Sequence, residues 1–457
     1  MRRWLIGRAA SAVVAVVAVG QLALGGAAGV SSIATAEDLA WQTPFVIQNV
    51  DGSSATAVQV QFVDVNSGNV AKSVDLGPLA AGRSVAVRPH SYTDLASGKY
   101  SVVVSSDAKI SAIVNQSSGR LNGSYLGLSS LRASGSSVSF PNVVRNYAGW
   151  NSPLYVQNAG NAATAVTVTF YRFDSGAQAA QVSKTLQPGQ TYEVNPAATA
   201  GLADGTQYSV VASSSGQPLA GMVNQIRSGN VVMTYSGFSS GGTTVYLPNI
   251  TRNYAEWNTP FIVQNVGAAT TQVTARYYRF ADGAEVKVDG PYDLGVGLSR
   301  PFRPHGTSGL ADGTQYSVVV QSSGQPIVAL VNEDSGSESM SYSGFSSGGT
   351  TVYLPNITRN YAEWNTPFIV QNVGAATTQV TARYYRFADG AEVKVDGPYD
   401  LGVGLSRPFR PHGTSGLADG TQYSVVVQSS GQPIVALVNQ HHSSGDAMAY
   451  EGFSPAN

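Results

Sequence analysis

The chain has 457 residues, of which only 12% are charged, and its formal net charge is −1. This nearly neutral composition, with 43% hydrophobic residues, is typical of folded domains. It argues against a charge-rich disordered protein and against a basic nucleic-acid binder. Because the chain contains no cysteine, its domains must be held together by hydrophobic cores and not by disulfides.

The N-terminal segment has the three parts of a signal peptide: basic residues, an apolar stretch and a small-x-small cleavage motif. These parts are Arg2, Arg3 and Arg8, residues 9–30, and Ala34-Thr35-Ala36. We predict a signal peptide over residues 1–36, export, and a mature chain that begins at Glu37 and has no transmembrane domain. The alternative is a retained membrane anchor, because about twenty apolar residues could cross a bilayer.

A tandem repeat makes up the rest of the sequence. Residues 235–332 and 342–439 are identical over 98 positions, and two looser copies lie upstream. Each copy carries one tryptophan in a phrase such as "WNTPFIVQN", and successive tryptophans are 109, 107 and 107 residues apart. Units of about 105 residues have the size of an independent domain. The predicted domains are repeat 1 (37–135), repeat 2 (136–241), repeat 3 (242–348) and repeat 4 (349–457).

Each unit alternates apolar and polar residues with the period of a β-strand. In repeat 2, Val166, Val168 and Phe170 alternate with threonines, and Asp174-Ser-Gly176 then supplies a turn. Turn signals recur about every 8–12 residues, and no stretch has a convincing helical period. The sequence predicts an all-β fold of four tandem Ig-like antiparallel β-sandwich domains after the signal segment. One tryptophan per unit is expected to anchor each core.

The units do not share their strands evenly. The strand-like phrases "VSFPN" and "VYLPN" precede the tryptophan in repeats 2, 3 and 4, whereas the mature repeat 1 has only "EDLA" before Trp41. Repeat 1 must therefore lack this strand or borrow it from a neighbour. An open sheet edge invites pairing with another chain.

A longer phrase that begins at Phe261, "FIVQNVGAATTQVTARYYRFADG", resembles the opening of bacterial Ig-like repeats of the CARDB type. Those repeats open with a strand, an Asn-x-Gly turn and a second alternating strand. The turn is present as Asn158-Ala-Gly160, Asn265-Val-Gly267 and Asn372-Val-Gly374, and it is one residue longer in repeat 1. The resemblance implies an exported tandem-repeat protein of the bacterial surface that is linked with adhesion and is not catalytic.

Signals of catalysis or metal binding are weak. "GFSSG", first at residues 237–241, has the spacing of a nucleophile elbow, but a strand-like segment follows where a helix is required. The pair His441-His442 has only Asp446 as a nearby acidic partner for a metal. We predict no enzyme activity, no cofactor and no metal site. Three further histidines follow Arg-Pro and are interpreted as loop residues: His90, His305 and His412.

An aromatic pair recurs in the phrases "RNYAGWN" and "RNYAEWN". We interpret it as a structural corner, with an aromatic platform for sugar rings as the alternative. The residues are Tyr147 and Trp150, Tyr254 and Trp257, and Tyr361 and Trp364. The recurring "QN" and "VNQ" pairs are expected to satisfy backbone groups at strand ends, or alternatively to line a polar groove.

These features favour an exported, non-catalytic structural or adhesive protein of the cell surface or extracellular space, built as a rod of Ig-like domains. The expected partner is a cell-envelope or extracellular polymer, or a second copy of the chain, and not a nucleic acid. One alternative is a secreted carbohydrate-binding array, in which weak repeated sites gain avidity. Another is a subunit that assembles into a surface layer or filament through an unpaired strand edge.

Overall fold

The computed structural model of the chain describes residues 12–19, 41–55, 57–119, 121–129, 135–227 and 231–454. The predicted cleavage motif at residues 34–36 and the N-terminal arginines lie outside these ranges. Within the described residues, no helix has the length and hydrophobicity that a membrane crossing requires.

Strands account for most of the described chain. The leader and repeat 1 contribute β1 (Ala12–Val19), β2 (Phe45–Asn49), β3 (Val58–Asp64), β4 (Val70–Asp75), β5 (Ser84–Val87), β6 (Lys99–Ser106), β7 (Ile110–Ser118), β8 (Leu121–Leu126) and β9 (Leu128–Ser129). Repeat 2 contributes β10 (Ser137–Arg145), β11 (Trp150–Asn151), β12 (Leu154–Asn158), β13 (Thr164–Arg172), β14 (Gln178–Leu186), β15 (Thr191–Val194), β16 (Thr206–Ser214), β17 (Leu219–Arg227) and β18 (Val231–Ser236).

The second half of the chain repeats this series. Repeat 3 contributes β19 (Thr244–Arg252), β20 (Phe261–Asn265), β21 (Thr271–Arg279), β22 (Glu285–Leu294), β23 (Ser299–Phe302), β24 (Thr314–Ser322), β25 (Ile327–Asp334) and β26 (Ser339–Ser343). Repeat 4 contributes β27 (Thr351–Arg359), β28 (Trp364–Asn365), β29 (Phe368–Asn372), β30 (Thr378–Arg386), β31 (Glu392–Leu401), β32 (Ser406–Phe409), β33 (Thr421–Ser429), β34 (Ile434–His442) and β35 (Ala447–Glu451). Short 3₁₀ helices lie at Pro89–Ser91, Pro196–Ala198, Pro304–Gly306 and Pro411–Gly413.

Two antiparallel sheets form each sandwich. In repeat 2 the outer sheet has the order β10-β16-β13-β14, and the inner sheet has the order β11-β17-β12-β15 with β18 also paired to β17. Repeat 3 has the same outer order, β19-β24-β21-β22, and the inner order β23-β20-β25-β26. Repeat 4 again matches, with β27-β33-β30-β31 outside and β28-β34-β29-β32 inside. The predicted all-β fold of tandem antiparallel sandwiches is confirmed.

The outer strands follow the predicted period of two. In β13 the side chains of Val166, Val168 and Phe170 are fully buried, while their neighbours face outward. In contrast, the inner strands β2, β12, β20 and β29 are buried along their whole length. A strand that is apolar on both faces needs a covering layer on each side, since exposed apolar surface costs about 25 cal/mol per Å².

The second covering layer is the neighbouring repeat. The core of repeat 1 includes Tyr155 and Met222 of repeat 2, and the core of repeat 4 includes Val46 and Ile113 of repeat 1. The cores of repeats 2 and 3 also extend into their neighbours, through Leu330, Ile369 and Leu437. Hydrophobic contact between repeats is therefore continuous around the molecule.

The four sandwiches form a closed ring around a common axis. β8 lies beside β18, β18 beside β26, β26 beside β35, and β35 beside β8. At the outer edge of the last junction, Arg83 Nη1 of repeat 1 donates to the carbonyl oxygen of Asp389 in repeat 4 at 2.9 Å. The expected rod is therefore wrong. Strands such as β20 have a second apolar face that points away from their own sandwich, and the neighbouring repeat buries this face.

The leader contributes an unexpected strand. β1 pairs antiparallel with β6 along its whole length and also contacts β9. It takes the position that β10, β19 and β27 occupy in the other outer sheets. The sandwich of repeat 1 thus draws its first strand from outside the predicted range 37–135.

Candidate functional site

The Tyr–Trp pairs lie in tight hairpins. Tyr254 and Trp257 exchange two backbone hydrogen bonds of 3.1 and 3.0 Å. The two residues between them, Ala255 and Glu256, have positive φ values of 47° and 71°. Positive φ at both central residues defines a type I′ turn, which places the flanking residues directly opposite each other. The hairpins of repeats 2 and 4 have the same bonds.

An arginine fixes the base of each hairpin. In repeat 3, Arg252 Nε donates to Asp312 Oδ1 at 2.7 Å, and Arg252 Nη1 donates to the carbonyl oxygen of Thr307 at 2.6 Å. The same contacts are made by Arg145 and Arg359. This arginine therefore ties the hairpin to the end of the 3₁₀ helix Pro304–Gly306.

All four tryptophans lie at one end of the ring, which we call the tryptophan rim. It consists of Trp41, Trp150, Trp257 and Trp364 and the strand ends that pair beside them, at Ser117, Arg227, Asp334 and His442. A small depression at its centre is lined by residues of all four repeats, including Asn122, Val232, Glu338 and Asp446. The expectation that each indole anchors a sandwich core is wrong. The main cores are filled by tyrosine, phenylalanine and aliphatic residues, and Trp257 is only half-buried against the core of repeat 3.

The rim tryptophans instead mark the junctions between repeats. Trp41 packs with Leu121 and with Val232 of repeat 2. The guanidinium of Arg227 lies 4.9 Å from the ring centre of Trp150 and reaches into repeat 3, where it approaches Asp334 Oδ2 at 3.4 Å. Trp41 therefore covers a point where two sandwiches meet, and Trp150 packs on the arginine that bridges a second junction.

Histidines take this role in repeat 4. The ring of His441 lies 5.8 Å from that of Trp257 in repeat 3, and its Nδ1 is 3.5 Å from Glu338 Oε2. The ring of His442 lies 5.0 Å from that of Trp364. The histidine pair thus packs against indoles and carboxylates of the rim. Among the described residues, no group of three or more potential metal ligands occurs.

The predicted platform residues differ in their accessibility. Tyr254 is 36% exposed, and Trp257 beside it is half-buried. Tyr147, Tyr361 and Trp364 are also half-buried, whereas Trp150 is buried. Repeat 3 therefore presents the most accessible Tyr–Trp pair on the rim, and repeat 2 the least accessible one.

A buried polar layer crosses the ring below the rim. Gln116 Nε2 donates to Asn224 Oδ1 and Thr234 Oγ1 of repeat 2, at 2.5 and 2.8 Å. Gln440 Nε2 donates to Ser124 Oγ of repeat 1 at 2.9 Å. Gln116 and Gln440 therefore bind side chains of neighbouring repeats, and Gln225 accepts from the Asn142 side chain of its own repeat. The expectation that the "VNQ" residues satisfy strand-end backbone groups is wrong.

The "QN" pairs do take the expected role. Gln264 Nε2 donates to the carbonyl oxygen of Gly297 at 3.0 Å. Asn265 Nδ2 donates to the carbonyl oxygens of Ala269 and Leu294 at 2.8 and 2.9 Å. These bonds close the turns at the end of the inner strand, as buried polar side chains commonly do.

Glu333 occupies the glutamine position of the polar layer in repeat 3. Its side chain is fully buried and accepts hydrogen bonds from Asn249 Nδ2 at 3.0 Å and from Asn439 Nδ2 of repeat 4 at 3.1 Å. Burial raises the pKa of Glu333 to about 8, against an ordinary value of 4.5. At neutral pH it is therefore mostly protonated, and it resembles the glutamines at the equivalent positions.

A shallow depression on the outside of repeat 4 was not expected from the sequence. The Arg407 guanidinium lies 3.5 Å from the ring centre of Tyr399, whose hydroxyl donates to Asp396 Oδ1 at 2.6 Å. The depression has a volume of about 330 Å³. Repeat 3 has the same stack of Arg300 on Tyr292. The sequence feature that could have indicated this stack is the pair of phrases "GPYD" and "LSRPF", which occur only in repeats 3 and 4.

The other motifs have structural roles. "GFSSG" leads into strands β19 and β27, and so lacks the helix that a nucleophile elbow requires. His90, His305 and His412 lie in the short 3₁₀ helices. Burial lowers the pKa of His412, since its charged form is less well solvated there.

Comparison with known proteins does not show the family of this chain. No protein-family model and no curated protein matches the chain. A protein titled "Thermotoga maritima 1070" is 18% identical, covers 23% of this chain and 93% of its own, and has a TM-score of 0.20. The Anabaena sensory rhodopsin transducer is 21% identical, covers 20% and 94%, and scores 0.16. A calcium-binding mutant of Bacteroides uniformis beta-glucuronidase 2 is 10% identical, covers 51% and 26%, and scores 0.12. These scores are too low to indicate function, and the resemblance to CARDB-type repeats stays a prediction.

Proposed function

We propose that this is an exported, non-catalytic adhesive protein of the cell surface or extracellular space. Its contact surface is the tryptophan rim, and its partner is a polymer of the cell envelope or the extracellular matrix. The observation that carries this proposal is the repetition of one rigid Tyr–Trp hairpin on the same end of a closed ring. Three similar contacts on one rigid body gain avidity even when each is weak.

The rigidity of the rim supports the proposal. Each hairpin is fixed by a type I′ turn and by an arginine, and the junctions between repeats are closed by apolar and polar contacts. Little side-chain or loop entropy is then lost when a partner binds. Titratable groups near the rim, such as Arg227, Glu338 and His441, are paired with their neighbours, which fits contact better than reaction.

A second candidate function is carbohydrate binding, favoured by the Tyr254–Trp257 pair. These two aromatic side chains lie opposite each other across the hairpin and are partly exposed. Aromatic rings combine a large apolar face with a polar tip, and such residues suit ligands with mixed surfaces. In this case the polymer would be a polysaccharide and repeat 3 would bind it best.

Retention on purified cell envelopes and on insoluble polysaccharides tests both candidates. We expect the rim variant Tyr254→Ala to weaken retention while its melting temperature changes little, because this side chain is 36% exposed. Trp257→Ala should also weaken retention, but it should lower the melting temperature because Trp257 packs against the core of repeat 3 and against His441. Val288→Ser, at an exposed site on β22 of the outer sheet, is the matched control. Unchanged retention of the rim variant on every surface would contradict the proposal.

Export is tested separately. Expression with the native leader should deliver the protein outside the cytoplasm, and N-terminal sequencing should find Glu37 as the first residue. An uncleaved protein in the membrane fraction would support the anchor alternative. Electron microscopy of the purified protein should show compact four-lobed rings and not rods.

A further inference from the structure

Three of the four outer sheets begin with a strand that contains a Pro–Asn bulge. In β10 the pairing with β16 shifts between Phe140 and Val143, so Pro141 and Asn142 form the bulge. The same shift occurs in β19 and β27. The three strands share the pattern Val-x-Phe/Leu-Pro-Asn-Val/Ile-x-Arg, in "VSFPNVVR" and twice in "VYLPNITR".

The bulge asparagine joins three parts of its sandwich. In repeat 2 the hydroxyl of Tyr235 donates to the backbone oxygen of Asn142 at 2.8 Å. The Asn142 side chain donates to Gln225 Oε1 at 3.3 Å and accepts from Gln207 Nε2 at 3.1 Å. Asn249 and Asn356 make the equivalent bonds in repeats 3 and 4.

Repeat 1 lacks this arrangement. Its first strand, β1, pairs with β6 in an unbroken register and contains only alanine and valine. Tyr125 is the equivalent of Tyr235, and its buried hydroxyl has no hydrogen-bond partner among the described residues. A buried hydroxyl without a partner is unfavourable, because it has given up its hydrogen bonds to water. β1 therefore pairs with the edge strand of repeat 1 but does not provide the bulge that would bind the Tyr125 hydroxyl.

We propose that this edge, formed by β6 and Tyr125, is an acceptor for a β-strand donated by another protein. The donor is an extended segment with the alternating apolar pattern and the Pro–Asn bulge of β10, β19 and β27. Its backbone would extend the sheet beside β6, and the oxygen of its asparagine would accept from Tyr125, as in known cases of strand addition. The inference rests on the proposed removal of residues 1–36, which would take β1 away and open the edge.

A second copy of this chain is a poorer donor. In the described residues, all three bulged strands are already built into their own sandwiches, where they pair with β16, β24 and β33. Donating one of them would open an equal edge elsewhere, so the exchange gains nothing. A separate protein with a free segment of this pattern has no such cost.

The test uses a synthetic peptide with the sequence of residues 137–145 and two forms of the full chain. The second form carries Val16→Pro and Val17→Pro. Alternate residues of an antiparallel strand point their N–H groups at the same neighbour, so one of two adjacent prolines must remove a bond to β6. We expect the peptide to bind the proline form about tenfold more tightly than the wild-type chain, where β1 competes.

The bulge and the register provide the matched controls. A peptide with Asn142→Ala and Pro141→Ala should bind about tenfold more weakly, since it loses the bulge and its bonds. The chain has no native cysteine. A Val103→Cys chain should therefore form a disulfide with a Ser139→Cys peptide in preference to a Val138→Cys peptide, because a shift of one residue turns the side chain to the other face.

Each outcome decides the proposal. Binding that needs the bulge and cross-links in this register supports it. It is overturned if neither form binds the peptide, if the control peptide binds equally well, or if the proline form pairs with a second copy of itself in light scattering. None of these measurements depends on export, so a failure of the proposed leader removal would appear only in the N-terminal sequencing.

Discussion

Repeats 3 and 4 are identical over 91 positions, residues 242–332 and 349–439, and then differ in the segment that faces the ring axis. Within the identical part the two sandwich cores have the same aromatic contacts. Phe261 stacks on Phe302 with ring centres 4.8 Å apart, and Phe368 stacks on Phe409 at the same distance. The packing inside each sandwich, which we call its shell, is thus determined by the sequence of each repeat alone.

After the identical part, each repeat matches the neighbour that it faces. Glu333 receives a hydrogen bond from Asn439 of repeat 4, whereas its counterpart Gln440 donates to Ser124 of repeat 1. Asp334 approaches Arg227 of repeat 2, whereas its counterpart His441 packs against Trp257 of repeat 3. Repeats 3 and 4 therefore differ in the side chains that face the ring axis, where each one contacts a different neighbour.

The largest expected effect tests the equality of the two shells. Phe261→Ala and Phe368→Ala each remove a fully buried, stacked ring, and each should destabilise the protein by about 3–5 kcal/mol. Urea unfolding should give the two variants equal losses within about 0.5 kcal/mol, because their surroundings are identical. A clear difference would show that ring neighbours influence even the shell.

The next effect tests the axis. The pKa of Glu333 is about 8 in the folded protein and 4.5 ordinarily, so the folded state holds this proton more tightly than the unfolded chain. The contribution of Glu333 to stability is therefore complete below pH 4.5 and is lost as pH rises toward 8. By pH 7 the loss is roughly 3 kcal/mol as an upper estimate. Glu333→Gln should remove this pH dependence and stabilise the protein at pH 8.

The equivalent position in repeat 4 provides the reverse experiment. Gln440→Glu places a carboxyl group at the equivalent buried position, and stability should then fall further between pH 4.5 and 8. Denaturation midpoints at pH 5 and pH 8 measure both effects. If the stabilities of wild type and Glu333→Gln respond to pH in the same way, the buried carboxyl group does not determine the pH dependence of stability at the ring axis.

A smaller effect separates repeat 1 from the others. Tyr342→Phe and Tyr450→Phe each remove a hydrogen bond of 2.7 Å to a bulge asparagine, and each should cost about 1–2 kcal/mol. Tyr125→Phe removes a hydroxyl that has no partner among the described residues, so it should be neutral or stabilising. Thermal unfolding measures the difference, and an equal loss at Tyr125 would mean that its hydroxyl is satisfied.

The sandwich itself could be predicted from the sequence because its signals are local. The alternation in β13, the turns at glycine and the role of Gln264 and Asn265 all depend on residues close along the chain. The Tyr–Trp pair could also be recognised as a unit, since a type I′ hairpin brings residues three apart together.

The ring could not be predicted because it depends on contacts between residues that are far apart in the sequence. β20 is apolar on both faces, which shows that a second layer exists but not which repeat provides it. The same ambiguity explains why the indoles were assigned to cores: a recurring tryptophan indicates burial, and burial at a junction has the same signature. β1 was missed because its apolar run also fits a signal peptide.

The smallest effect returns to repeats 3 and 4, at the hairpin turn. Glu256 and Glu363 have φ values of 71° and 66°, where repeat 2 has Gly149. A residue with a Cβ atom costs about 1 kcal/mol in this region, partly offset by the entropy that glycine loses on folding. Glu256→Gly should therefore stabilise the protein by about 0.5 kcal/mol. Glu363→Gly should gain less or nothing, because the Glu363 carboxylate accepts a 2.7 Å bond from Ser443 Oγ and lies 3.5 Å from His442 Nε2. Thermal unfolding of both variants, with Gly149→Glu as the reverse control, measures the difference. Equal gains would mean that the repeat 4 contacts contribute nothing to the stability of the rim.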